Sequence, residues 1–341
     1  MMKKMGALML AAVMALSLGA CSSGSKTADA PKAETQSSGA AGAGEAGTTV
    51  ADAAKEAVGE GTPLKVGVSM PNLTNVFFLQ IQKGMESSLT GPDDEVIIMD
   101  ANGDQNKQMN DVSDMINQGC NVIALSPINS DGVRATLEAC KEAGVPVIAF
   151  NVGTKNPELV ASTIVSDNEE SGHMCARALA EALGGKGKVV EITFSTTTTC
   201  YQRQKGFEDE IKANYPDIEI LQSKDVEKAT ADYSQPIMVD FINANPELDG
   251  VFTINDPTAR GAIAALKEAN MIDKVKVVSV DGSDEGKGFI RAGEMVASAA
   301  QDPEGIGRNV VETGYKLIKG EEVEHEMIMP MTIIDSTNVD Q

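Results

Sequence analysis

The sequence predicts an α/β protein built as two doubly wound parallel-sheet lobes. From residue 64 onward, short β-prone runs alternate one for one with segments of helical spacing, the signature of parallel strands with helices on both faces. The rhythm starts afresh near residue 168, and 341 residues exceed what one hydrophobic core usually holds.

The first half reads as strands over 64–70, 96–99, 121–125 and 145–150, with helices over 77–89, 106–118 and 131–143 between them. Gly144 suits the left-handed turn that ends a helix. Pro146 sits at a strand start, where its missing N–H does little harm. In the second half, a helix over 168–183 runs through Gly184-Gly185-Lys186-Gly187 into a strand over 188–193. Helices over 203–214, 234–244 and 257–269 then precede strands over 218–222, 250–254 and 275–280 respectively. After a break at Asp281-Gly282-Ser283 come a helix over 284–292, a strand over 296–300 and a helix over 304–319. A last apolar run over 327–334 is expected to close a sheet.

The beginning of the chain has another character. Lys3 and Lys4 precede an apolar run over 5–18, shorter than a membrane span, and small residues follow. Residues 1–20 therefore read as a cleavable export signal. The order Leu18-Gly19-Ala20-Cys21 resembles the lipobox of bacterial lipoproteins, which implies that Cys21 becomes the lipidated first residue. A diacylglyceryl group supplies the two acyl chains that durable anchoring needs. Residues 21–61 are rich in Ser, Gly, Ala, Thr and Glu and read as a flexible tether. Gly42, Gly44 and Gly47 match a dinucleotide-binding fingerprint by letter, but no strand precedes them.

Composition excludes several functions. The formal charge of −22 would repel phosphate backbones, so nucleic acid is not an expected partner. Cys120, Cys140, Cys175 and Cys200 are widely spaced, with no metal-ligand pattern; the first three read as small core residues, and a disulfide is left open. His173 and His325, the only histidines, lie outside any catalytic motif. Neither a catalytic residue, a metal site nor a cofactor is expected.

Ligands of open parallel sheets bind beyond the carboxyl ends of the strands. The expected strand ends carry Asn75, Phe77, Phe78, Asn151, Asn255, Asp281 and Gln301, and a helix of the second half carries Arg203. Each also suits an ordinary role, as turn or N-cap for the polar residues and as core for the phenylalanines. Their recurrence at one topological position is the signal. A carboxylate accepts two hydroxyl protons, Arg donates in a rigid fork, amides do both, and an aromatic face covers apolar C–H surface. The set suits a polyhydroxylated ligand.

Asn75-x-Phe77-Phe78, Asn255-Asp256-x-x-Ala259-x-Gly261-Ala262, Val280-Asp281-Gly282 and Ala300-Gln301-Asp302-Pro303 resemble the periplasmic ribose and galactose type of sugar-binding proteins, over residues 64–334. The resemblance implies two lobes joined by a three-crossover hinge and closing on a monosaccharide. It also implies an ABC importer as partner and an exported, lipid-anchored monomer at the cell membrane. By position, lobe 1 comprises 62–166 and 302–330, lobe 2 comprises 167–301 and 331–341, and the eight residues above contact the ligand. Crossovers are expected near 166–168, 281–302 and 329–332. The sequence departs from the ribose binders at Asn151-Val152, which resembles the hexose branch, and near Ala229 and at Val280, where aromatic walls are usual; Tyr233 lies close to the former. Other readings of the same fold are an amino acid, autoinducer or nucleoside ligand, or a sensor for a signalling receptor.

Overall fold

The computed structural model describes residues 61–341; the expected export signal, Cys21 and the tether up to residue 60 lie outside the described residues. The chain runs β1 (Lys65–Met70), α1 (Val76–Glu86), β2 (Glu95–Asp100), α2 (Gln105–Asn117), β3 (Val122–Leu125), α3 (Arg134–Glu142), β4 (Val147–Phe150) and β5 (Ser162–Ser166). It continues as α4 (Asn168–Leu183), β6 (Gly187–Thr193), α5 (Thr198–Asn214), β7 (Ile218–Asp225), α6 (Ala231–Ala244), β8 (Gly250–Thr253) and α7 (Asp256–Glu268). Last come β9 (Lys276–Asp281), α8 (Asp284–Arg291), β10 (Ala297–Ala300), α9 (Pro303–Ile318), β11 (Glu326–Met329) and β12 (Thr332–Asp335).

Two six-stranded sheets result, ordered β11-β5-β4-β3-β1-β2 and β12-β10-β9-β8-β6-β7. Position for position the two orders are the same. Neighbours are parallel except β12, which runs antiparallel to β10. The chain passes between the sheets at three places: after Ser166, at Gln301-Asp302, and between Met329 and Thr332.

Each sheet is covered on both faces. In the first lobe, Val66, Val68 and Ile148 pack with Phe77, Phe78 and Ile81 of α1 and Val310 of α9, while Ile123 and Leu125 face Met115 of α2 and Leu137 of α3. In the second, Val189, Phe252 and Val278 meet Leu179 of α4 and Phe207 of α5, and Val190 and Val251 meet Met238 of α6 and Ile263 of α7. The rings of Phe207 and Phe252 stack at 4.5 Å, and burying such a side chain contributes about 1.5–3 kcal/mol.

Several elements differ from the sequence reading. The strand β5 was not expected; its five buried residues include two serines and a threonine, which blunt an apolar signal. The final apolar run divides at Pro330-Met331 into β11 and β12, one strand for each sheet. The helix α5 starts five residues before the expected 203, because Thr197 caps it by accepting from the Cys200 N–H, and threonines make a poor helical pattern. Cys120, Cys140 and Cys175 are buried, and the cysteines among the described residues are all free.

One core residue is out of keeping with its surroundings. Glu191 lies in β6, fully buried, and among the described residues neither carboxylate oxygen has a hydrogen bond of good geometry, although Ser223 and Glu208 lie close. Alternation along the strand puts it on the Val189 side, beneath α5. Burial, reinforced by the charge of Glu208, pushes its pKa up to about 8. The protonated acid favours the folded state, so this contribution is full below the unfolded value near 4.5 and is lost as pH rises through about 8. Glu191→Gln, which cannot ionise, should therefore melt several degrees above the wild type at pH 9 and near it at pH 5. Calorimetric melting curves over that range check this, and parallel profiles for the two proteins would contradict it.

Candidate functional site

Because both sheets have the same strand order, the carboxyl ends of both strand sets face one cleft, and a cavity of about 490 Å³ lies there. Asn75, Phe77, Phe78, Asn151, Arg203, Asn255, Asp281 and Gln301 all line it. The structure thus brings together every ligand residue expected from the sequence. A second hollow of about 460 Å³ shares Asn75, Phe77, Asp281 and Gln301 and opens past charged residues including Arg260, Lys287 and Arg308.

The two asparagines that start helices fill both of the roles open to them. The Asn75 amide oxygen accepts from the Phe77 N–H at 3.0 Å, capping α1. The Asn255 amide oxygen accepts from the Thr258 N–H at 3.0 Å, in a capping box at α7. Capping fixes the orientation of each amide, leaving its nitrogen as the cavity-facing donor. Asn75 Nδ2 has no partner among the described residues, and Asn255 Nδ2 has only a 3.5 Å contact to the Ala229 carbonyl. Phe77 and Phe78 meet edge to face at 5.7 Å and belong to the first-lobe core, with their remaining exposed surface on the cavity.

Two of the site residues hold rare backbone conformations. Asn151 has φ +60° and Asp281 has φ +127°. Such strain persists only where the surroundings over-determine it, and it clusters at functional sites. The Asn151 backbone is fixed on both sides: its N–H donates to the Ile164 carbonyl at 2.8 Å, and its carbonyl accepts from Thr199 Oγ1 of the second lobe at 2.9 Å. Its side chain has no partner among the described residues and remains open to the cavity.

The second lobe supplies the charges. Arg203, 4% exposed, sits in the second turn of α5. Its Nε donates to Asn168 Oδ1 at 2.9 Å and its Nη1 to the Ile254 carbonyl at 2.7 Å, which leaves Nη2 uncommitted. Nη1 stands 3.8 Å from Asp281 Oδ1, and that oxygen accepts from Gln301 Nε2 at 2.8 Å. Burial and the nearby Asp256 push the Asp281 pKa up, to about 7, against the pull of Arg203. Asp256 lies fully buried behind the site, where its carboxylate accepts from the Ser283 N–H, Ser283 Oγ and Ser298 Oγ at 2.7–2.9 Å. It fixes the turn after Asp281.

Sequence reasoning missed two participants. Phe194 lines the cavity from the end of β6, so the second lobe contributes an aromatic even though Ala229 does not and Val280 is buried in the core. Its position directly after a strand was a usable signal. Asn168, 3% exposed, holds Arg203, and its place in Asp167-Asn168 at a helix start reads only as a cap. Of the histidines, His173 pairs with Glu170 at 3.3 Å and His325 is exposed, and neither lines the cavity. Among the described residues no group of side chains is arranged to hold a metal.

Residues 66–322 match the model of the periplasmic binding protein domain. The ribose import binding protein of Bacillus subtilis is 28% identical over 79% of this chain and 86% of its own length. A xylitol-binding protein of Mycolicibacterium smegmatis is 29% identical over 88% of this chain and 85% of its own. Among solved structures, an ABC transporter solute-binding protein from Mycobacterium smegmatis with bound glycerol superposes with a TM-score of 0.76 at 31% identity, covering 82% of this chain and 96% of that one. The family match takes in β1 to β10, all but the edge strands β11 and β12, and every cavity residue named above: this chain belongs to the periplasmic binding protein family.

Proposed function

We propose that this protein captures a neutral monosaccharide or polyol in the cleft and delivers it to an ABC importer. A periplasmic binding protein binds its solute and does not transform it, so the site is read for recognition alone. One observation carries the proposal: donors, acceptors and aromatic faces from both lobes converge on a single cavity. Among the described residues Asn75 Nδ2 and Arg203 Nη2 are free donors and Asn255 Nδ2 makes only a 3.5 Å contact; Asp281 Oδ2 is a free acceptor, and the Asn151 carboxamide offers both a donor and an acceptor. Hydroxyl groups answer both kinds, and Phe77, Phe78 and Phe194 suit the apolar faces of a carbon skeleton. The xylitol, ribose and glycerol named for the relatives are all compounds of this class.

In this reading the lobes, 62–166 with 302–330 and 167–301 with 331–341, move as rigid bodies about the three crossings. Ligand touching both lobes favours the closed form, which the importer reads as occupancy. The protein acts as an exported monomer held to the membrane through Cys21.

Two experiments test this. A thermal-shift panel of pentoses, hexoses, inositols, acyclic polyols, amino acids and nucleosides should stabilise the protein only with members of the first four classes. Asp281→Asn, which keeps the size and shape of the side chain, should weaken binding of the best of these by roughly ten- to a hundred-fold, as expected for losing a charge-assisted hydrogen bond worth about 1.5–3 kcal/mol. Shifts confined to amino acids or nucleosides, or unchanged affinity in the variant, would contradict the sugar reading. For the anchor, Cys21→Ala should abolish incorporation of labelled fatty acid in growing cells; label persisting on the variant would refute the lipid assignment.

A further inference from the structure

Two chains of hydrogen bonds meet at Ser166, the last residue of β5 and the point where the chain first leaves the first lobe. On one side, Ser166 Oγ donates to Gln301 Oε1 at 2.7 Å, and Gln301 Nε2 donates to Asp281 Oδ1 at 2.8 Å. On the other, Asn168 Nδ2 donates to the Ser166 carbonyl at 2.7 Å, and Asn168 Oδ1 accepts from Arg203 Nε at 2.9 Å. The serine is 2% exposed; the Asn168 arm is buried, and the Gln301 arm is half-buried beside the cavity. Gln301 itself occupies the second crossing, and its N–H also donates to the Asp281 carbonyl at 3.1 Å.

The arms end on Arg203 and Asp281, the two buried, oppositely charged groups of the cavity lining among the described residues. Arg203 and Asp281 approach to 3.8 Å, beyond hydrogen-bond length, even though a buried guanidinium and carboxylate attract strongly. The bracket explains the gap. Gln301 takes the Asp281 oxygen that Arg203 would claim, and Asn168 and the Ile254 carbonyl hold the guanidinium back. Arg203 Nη2 and Asp281 Oδ2 thereby stay free.

We propose that Ser166 is a positioning residue: through Gln301 and Asn168 it holds Asp281 and Arg203 apart as separate acceptor and donor, and it ties their spacing to the hinge. The proposal rests on the reading of these two residues as ligand contacts. Since Ser166 belongs to the first sheet and both charges to the second lobe, lobe rotation about the crossings is transmitted to the pair by two short paths.

The experiment titrates the Asp281 carboxyl carbon by ¹³C NMR in ligand-free wild type, Ser166→Ala and Ser166→Thr, with Asp281→Asn assigning the signal. The groups facing Asp281 are Arg203 and Cys200 from α5 and Asp256 from α7, and they are common to all three proteins. Without the serine hydroxyl, Gln301 loses its anchor and donates less well to the ionised carboxylate, so the Asp281 midpoint should rise by about half a unit or more in Ser166→Ala. Threonine, which keeps the hydroxyl, should restore it. Calorimetric titration with xylitol, D-ribose and myo-inositol should show the affinity of Ser166→Ala for whichever binds reduced about ten-fold, with its decline on acidification displaced to higher pH. An unshifted Asp281 midpoint in Ser166→Ala overturns the proposal, whatever its melting temperature, and so does failure of threonine to restore the shift. If the midpoint moves as expected but none of the three compounds binds the wild type, the bracket stands and the polyol reading fails.

Discussion

Taking Arg203 and Asp281 out of water costs each several kcal/mol, and the fold has to return that through partners placed around them. The partners come from several elements: Asn168 on α4, the Ile254 carbonyl beyond β8, and Gln301 at a crossing between lobes. Those elements meet at the cleft end of the second lobe, where the chain crosses to the first. The parallel order of the sheets, the three crossings and the strained φ of Asp281 all serve that meeting point.

The lobes are built alike where they flank the cleft. In the first, α1 and α9 approach so closely that a Cβ at Gly84 would lie 2.2 Å from the Glu304 carbonyl oxygen, and one at Gly307 2.1 Å from that of Ile81. In the second, a Cβ at Gly172 on α4 would lie 2.1 Å from the Arg203 carbonyl oxygen. In each lobe one helix of the pair follows a crossing and the other carries cavity-lining residues, Asn75, Phe77 and Phe78 at the start of α1 and Arg203 on α5. Close backbone packing makes these side chains rigid relative to the hinge. The start of α5 also reaches the first lobe: the Thr198 N–H donates to Ser130 Oγ at 3.1 Å and Thr199 Oγ1 to the Asn151 carbonyl at 2.9 Å.

Much of this was legible in the sequence, because its signals are local. Alternation of period 2 and 3.6, caps such as Asn75 and Asn255, and the break after Asp281 lie within a few residues of the elements they define. The strand β5 escaped because serine and threonine interrupt its apolar run, and the first turn of α5 because four consecutive threonines, Thr196–Thr199, read as loop. The roles of Gln301, Asn168 and Ser166 are of another kind. Ser166 and Gln301 are 135 residues apart, and no local pattern records that two crossings run side by side. A single aromatic after a strand, as at Phe194, marks a strand end, but which groups it faces across the cavity is set only when the opposite lobe is in place.

The central claim is that one ligand is held by both lobes at once and that holding it closes them. Small-angle X-ray scattering of the protein, stripped of ligand and then saturated with the strongest compound from the stability screen, measures this directly. A smaller radius of gyration and a shorter maximum dimension in the saturated sample are the predicted result. Superimposable profiles at proven saturation would contradict the claim and leave the cleft as a binding site without a hinge.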